Sequence, residues 1–311
     1  MKPDDLLQAF AGCRVLVTGA SGFIGRQLVA RLHTLGAVVT VIKRAGTGDE
    51  IENVIEVERW KADTLRQVLA GSSFDYVFHL AAYGVAPSAR DVQEMFEVNV
   101  SSTIALVDTV RAARSIVHVG SCAEYSSPQE PHRITESHGL EAFNLYGATK
   151  AAGTLGATAA AAARGHNFVA ARLFHVFGTN EASHRLLPTL VSHLKLGKPV
   201  PLSPGTQVRD FLAASDAVEG LLHLAVSAAA LGGQSIVNLC SGTAVSVRSF
   251  AECVADALRA PRNLLDFGAV RLRSDETTHL VGDTARLHQL VTWRPRLSLT
   301  EGIEEALRAS R

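Results

Sequence analysis

At 311 residues, with 47% hydrophobic side chains spread in short runs, the chain can bury one large α/β core or two units sharing one. Thirty basic residues balance thirty acidic ones and no like-charge run stands out, which argues against nucleic acid and membrane surfaces as partners. No stretch approaches the roughly 18 uninterrupted apolar residues of a membrane span. The Met-Lys-Pro-Asp-Asp start lacks an apolar leader core. Cys13, Cys122, Cys240 and Cys253 stand at no metal or redox spacing, so the expectation is reduced thiols, a cytoplasmic setting and no metal site.

Residues 1–12 read as a short segment ahead of the first strand, Arg14–Thr18. A loop follows, Gly19-Ala-Ser21-Gly22-Phe23-Ile24-Gly25. It opens a helix whose Phe23, Ile24, Leu28, Leu32 and Leu35 recur at helical spacing. Strand, glycine turn and helix together seat a dinucleotide diphosphate. Glycines let the backbone approach the phosphates, and the helix N-terminus supplies free N–H groups and a favourable dipole. The second strand, Val38–Arg44, ends about twenty residues further on, where such folds meet the adenosine ribose. Lys43 and Arg44 there suit a 2′-phosphate and point to NADP. NAD stays open if this is a solvated basic strand end with Asp49 or Glu50 curling back to the ribose.

Val54-Ile-Glu-Val-Glu is a third strand. Asp63 after it could bond adenine or cap the next helix. Asp75–Ala82 is a buried strand whose small end, Leu80-Ala81-Ala82, lets a ligand pass close, and His79 reads as a packed histidine. Residues 91–113 read as one long helix containing Asn99. Ser115–Ser121 is a further strand, and Asn144 opens an alanine-rich helix to about Arg164, before a strand at 167–174. Strands alternating with helices imply a doubly wound parallel sheet. Residues 1–178 are assigned to the dinucleotide-binding domain. Residues 179–311 form a smaller mixed α/β lobe, with about 207–240 returning to the main domain. Helices are expected in that lobe near 183–196, 215–229, 246–259 and 300–308.

Tyr146 and Lys150 lie four apart on one helix face. A phenol is a poor acid–base catalyst at neutral pH, and a neighbouring ammonium would bring it into range. Ser121 ends a central strand, where ligands bind in such sheets, and could hold the oxygen that Tyr146 protonates.

With these residues in place the chain resembles the extended short-chain dehydrogenase/reductases that act on nucleotide sugars. The likeness includes Thr18–Gly25, Asp63, His79–Ala82, Asn99, Ser121, Tyr146-x-x-x-Lys150, Arg172-Leu-Phe174, Val208-Arg-Asp-Phe211 and Trp293-Arg-Pro295. The resemblance implies Ser121 as substrate-orienting hydroxyl, Tyr146 as general acid/base, Lys150 as its support and Asn99 near the active site and cofactor. It implies Arg209 and Arg273 as clamps on a nucleotide-sugar diphosphate, with ion pairs to Asp210 or Asp275 as the plainer alternative. Cys122 and His175 are candidate substrate contacts. Dehydratases of the family carry acids just after the active-site Ser or Thr; here stand Cys122 and Ala123, which argues against dehydration. Glu124, one step on, is expected to turn away. An epimerising Cys–His pair from Cys122 with His175 or His184 falls out of register. The resulting expectation is NADPH-dependent reduction of a 4-keto-6-deoxy nucleotide-sugar by a homodimer paired through helices 91–113 and 146–164. The alternative is a 4-epimerase holding NAD.

Overall fold

The computed structural model describes residues 3–45, 53–141, 143–272 and 276–308. Asp49, Glu50, Arg273 and Asp275 lie outside the described residues. The strands, in chain order, are β1 Arg14–Thr18, β2 Val38–Arg44, β3 Asn53–Val57, β4 Ser73–His79, β5 Arg111–Ser121, β6 Arg133–Ile134, β7 Phe168–Leu173, β8 His175–Phe177, β9 Val200–Leu202, β10 Val208–Ala213, β11 Gln234–Leu239, β12 Ala244–Ser246, β13 Leu265–Phe267 and β14 His279–Gly282. The helices are α1 Pro3–Phe10, α2 Phe23–Thr34, α3 Ala62–Leu69, α4 Val92–Phe96, α5 Ser102–Thr109, α6 Leu145–Arg164, α7 Leu186–Lys195, α8 Ala214–Leu231, α9 Val247–Ala257, α10 Ala285–Leu290 and α11 Leu299–Arg308.

Seven parallel strands in the order β3-β2-β1-β4-β5-β7-β11 form the main sheet. The order reverses direction between β1 and β4, the crevice where such sheets bind ligands at the carboxyl ends of their strands. β1 can occupy the centre because Val15, Leu16 and Val17 are apolar on both faces and wholly buried. α1, α2 and α8 cover one face of the sheet, and α3, α5 and α6 cover the other. α8 is long and apolar enough by composition to cross a membrane, but in this fold it lies on the sheet, with the Ser115 hydroxyl donating to Ala225 O at 2.7 Å.

The smaller lobe is built on a second sheet, β12-β10-β14-β6, with β8 also pairing β10. Because β8 follows β7 after one residue, Phe174, the two sheets are joined directly beneath the crevice.

The segment ahead of β1 forms α1, which buries Leu6 and Phe10 and sets the Phe10 ring 4.6 Å from that of Tyr76. Two expectations change. The long helix over 91–113 is α4, a wide π-turn at Glu97–Ser101, and α5 ending at Thr109. Val110 is extended and Arg111 pairs with Ser73, so sheet pairing overrides the helical propensity of Arg111-Ala-Ala-Arg114. Of the returning stretch 207–240, α8 and β11 rejoin the main sheet, with β11 on β7, while β10 belongs to the smaller one.

Candidate active site

The glycine turn has the shape that a bound diphosphate requires. Gly19 has φ +70°, and a Cβ there would meet the Leu80–Ala81 backbone at 2.7 Å. A Cβ on Gly25 would overlap Gly19 O, so only glycine lets α2 start this close to the turn. The first turn of α2 carries no acidic residue, and its leading N–H groups have no helical acceptor. The loop after β4 is fixed from beneath. Ala81 N–H donates to the Thr18 hydroxyl at 3.3 Å, Thr18 contacts His79 Nδ1 at 2.7 Å, and His79 Nε2 lies 3.0 Å from the Thr103 hydroxyl. Thr103 itself donates to Val98 O at 3.3 Å, which leaves it an acceptor for His79 and places the imidazole proton on Nε2. Burial pushes His79 down to about 3, so it is the packed neutral histidine that the sequence implies.

Above this floor lies a cleft of about 680 Å³. It gathers the glycine turn 19–25, Lys43 and Arg44, the 80–82 loop, Ser121, Cys122, Tyr146, Lys150 and His175. The cleft therefore brings one end of each strand around the crevice to the start of α6. Asn144 caps that helix through Gly147 N–H at 3.2 Å. Gly147 and Gly153 let α6 press on its neighbours: a Cβ on either would overlap Ala123 O or Asn99 O. These contacts fix Tyr146 against the Ser121 turn.

Lys150 is nearly buried and donates to Val119 O at 2.8 Å; burial lowers it to about 8. Tyr146 is raised to about 12, first by burial and then by Cys122, with the Ser121 hydroxyl acting the other way. This corrects the expectation that the ammonium brings the phenol toward neutrality: with Lys150 bound to a carbonyl, desolvation dominates and Tyr146 is a held proton donor. Cys122 is likewise raised to about 12 and His175 lowered to about 3, both chiefly by burial. Glu124 does turn away. It is fully buried behind Ser121 and paired with Arg172 at 2.7 Å.

A second cavity of about 490 Å³ adjoins the cleft, with His175, Glu181, His184 and Arg185 lining both. Gln207, just ahead of β10, and Arg209 and Phe211 on it line this cavity at alternate positions. Asp210 points the other way and accepts from Ser241, Gly242 and Gly282. Arg209 thus pairs with Glu276 at 2.7 Å, not with Asp210. Arg185 pairs with Glu181 at 3.1 Å, so Arg209 and Arg185 each line the cavity beside a carboxylate, with Arg271 also on its wall.

Two assigned contacts lie elsewhere. Asp63 is 98% exposed, pairs with Arg66 at 2.9 Å, and is neither in the cleft nor the helix cap, which is Lys61. Asn99 is buried below the cleft. It accepts from Tyr83 N–H and donates to Tyr83 O, both at 2.9 Å, and bonds Thr149 at 3.1 Å. It holds the 83–85 loop to α6. Sequence reasoning missed Trp60, Arg90, Glu181 and Arg185 in the cleft and Gln207 in the second cavity. The two-residue alternation Gln207-x-Arg209-x-Phe211 was the one readable sign among them.

Fold and site together define the class: a doubly wound parallel sheet whose cleft gathers Ser121, Tyr146 and Lys150 beside a glycine turn. Residues 15–240 match the NAD dependent epimerase/dehydratase family, and the chain belongs to it, as an extended short-chain dehydrogenase/reductase. It is an NAD(P)-dependent oxidoreductase or epimerase. It is similar to a dTDP-6-deoxy-L-talose 4-dehydrogenase (NAD(P)(+)) of Kitasatospora kifunensis, 27% identical with 95% of each chain covered. It is also similar to a UDP-glucose 4-epimerase of Mycolicibacterium smegmatis, 27% identical over 94% of this chain and 97% of the relative. Among solved structures, MoeE5 in complex with UDP-glucuronic acid and NAD is 28% identical with a TM-score of 0.79, covering 96% of this chain and 98% of that one.

Proposed function

We propose that the protein reduces the 4-keto group of a 4-keto-6-deoxy nucleotide-sugar with NADPH. The observation that carries this reading is geometric: Tyr146 faces the Ser121 hydroxyl in the same cleft as the glycine turn, with Lys150 one helical turn on, and Cys122 and Ala123 set no carboxylate beside them. The named activity of the Kitasatospora relative, C4 oxidation of a dTDP-6-deoxy sugar, is the reverse of this reaction.

The glycine turn and the 80–82 loop would hold the dinucleotide, with Lys43 and Arg44 beside a 2′-phosphate. Bound NADPH supplies the hydride. Ser121 orients the keto oxygen, Tyr146 protonates it as negative charge develops, and Lys150 stabilises the phenolate left behind. The substrate diphosphate would lie by Arg209 in the second cavity, replacing part of its contact with Glu276. That cavity joins the cleft at His175, so the sugar end reaches Ser121. The test is NADPH absorbance with purified protein and dTDP-, CDP-, GDP- and UDP-4-keto-6-deoxy sugars. Consumption with one of them is expected. No consumption, together with NAD retained through purification and interconversion of C4 epimers, would establish the 4-epimerase reading favoured by the Mycolicibacterium relative.

The same reading includes a homodimer. Val92 and Phe96 on α4 and Leu155 on α6 are 53%, 47% and 49% exposed, and these are helices expected to pair. A dimeric mass by light scattering is expected; a monomer at micromolar concentration would refute it.

A further inference from the structure

Glu124 is fully buried, and its carboxylate contacts both Ser121 and α6, the helix that carries Tyr146 and Lys150. Oε1 accepts from Ser121 N–H at 2.9 Å and from the Thr154 hydroxyl at 2.9 Å, and Oε2 accepts from Arg172 Nε at 2.7 Å. Ser121 completes the exchange by accepting Ala123 N–H on its side-chain oxygen at 3.1 Å, a reciprocal cap over one short turn. Thr154 is the third residue of a stripe on α6 whose other members are Tyr146 and Lys150, so one carboxylate ties the end of β5 to the helix that carries the acid. Room for it is made by Gly120, where a Cβ would lie 2.6 Å from Oε1. Arg172 is fixed in turn by stacking 4.6 Å over the Tyr125 ring.

We propose that Glu124 is a positioning residue: its buried carboxylate, paired with Arg172, fixes Ser121 against α6 and biases the Tyr146–Lys150 pair toward donating a proton. This rests on the reading of Ser121, Tyr146 and Lys150 as the reacting groups. A buried anion favours the protonated form of every titratable group nearby. Glu124 acts in that direction on Tyr146, on Lys150 and on Cys122. The opposing charges around them are Arg185 beside Tyr146, and Arg209 and Arg185 beside Cys122. Asp210 adds to Glu124 at Cys122, and His79 and His118 beside Lys150 are neutral. For Lys150, Glu124 is the charge that opposes desolvation. A carboxyl this close to the centre therefore need not act on substrate to matter. It is bonded on both oxygens.

The experiment is Glu124→Gln and Glu124→Asp, with Tyr146→Phe as control, in the NADPH assay across pH, alongside melting temperature and NADPH affinity. Glu124→Gln keeps the shape and removes the charge. Its kcat is expected to fall ~10–100-fold with KM little changed, and its alkaline limb to move about one pH unit toward acid. Glu124→Asp keeps the charge and shortens the reach: kcat falls at least tenfold while the limb stays at the wild-type position. If Glu124→Gln folds and shows the wild-type limb, the proposal is overturned and the residue is only structural. If Glu124→Gln does not fold, Glu124→Asp decides by its kcat at wild-type melting temperature and NADPH affinity: a tenfold fall supports the positioning role, and wild-type turnover overturns it. Should Tyr146→Phe retain turnover, it is the assignment of the reacting groups that fails.

Discussion

The cleft and the cavity beside it are built by different means. The cleft is made of backbone: a glycine turn that admits no Cβ, a strand-end loop tied to Thr18, and a helix whose glycines let it rest on carbonyl groups. The second cavity is made of side chains from separate segments, with Arg209 and Arg185 set opposite Glu276 and Glu181. Backbone fixes what every member of such a fold must hold, a diphosphate and a reacting centre. Side chains that can exchange partners suit the part of the ligand that differs between enzymes. The comparison is open to tests at both ends.

The largest effect is expected in the cleft. Tyr146→Phe removes one oxygen from a ring packed against Gly84 and the Ser121 turn, so the fold and cofactor binding should persist. Turnover should drop by at least ~10³-fold, the upper range for loss of a positioned general acid. Wild-type rates in a steady-state assay would refute the role. In the second cavity, Arg209→Met should raise KM for the sugar nucleotide about 10–100-fold, the worth of a charge-assisted contact of roughly 1.5–3 kcal/mol. NADPH affinity should stay unchanged. Calorimetric titration with nucleoside diphosphates reads this directly, and equal losses for dinucleotide and sugar nucleotide would erase the division between the two sites. A smaller effect is expected at the cleft's outer end. Arg44→Ala should weaken NADPH about tenfold and leave NADH within twofold, since the missing partner is a single phosphate on an exposed strand end. Equal effects on both cofactors would remove the NADP assignment.

The same division explains what could be read from the sequence. The glycine turn, Ser121 and the Tyr146–Lys150 pair were legible because each depends on local geometry: a required φ, a strand end, a four-residue helical spacing. Glu124 turning inward was also foreseeable from its position one residue past the strand end. Asp63 was misplaced because its helix begins two residues earlier than a cap at Asp63 would need, which sends the carboxylate to solvent beside Arg66. Asn99 was placed near the active site and cofactor by the resemblance, on a stretch read as one regular helix. The π-turn rotates it beneath the cleft onto Tyr83 and Thr149, and no periodicity in the sequence announces that turn. The Arg209–Glu276 pair joins residues far apart in the chain through β14, a strand that the sequence did not reveal. The state of Tyr146 was misjudged for a related reason. A four-residue spacing places Lys150 on its face but cannot show that one of its donors goes to Val119 O while burial raises the phenol.

Beneath the cleft, His118 offers the gentlest test of how much of this architecture serves function. It is fully buried on β5, its ring 5.3 Å from His79 and 6.5 Å from Phe168, and neither nitrogen has a partner among the described residues. His79, one strand away, has both nitrogens bonded and fixes the ligand-facing loop. An unsatisfied buried polar atom costs about 1–3 kcal/mol, so His118→Leu should stabilise the fold by about 1–2 kcal/mol and leave turnover unchanged. Burial holds His118 well below its ordinary value, so the native state stays neutral where the unfolded chain takes up a proton, below about pH 6.5. The unfolded state then binds more protons, and wild-type stability falls as pH falls through that value. The margin of His118→Leu over wild type should therefore widen on going from pH 7 to pH 5 in urea unfolding. A margin that stays flat with pH would mean that His118 is protonated or partnered in the native state. A loss of activity in the stabilised variant would move His118 from the packing of the sheet into the support of Lys150.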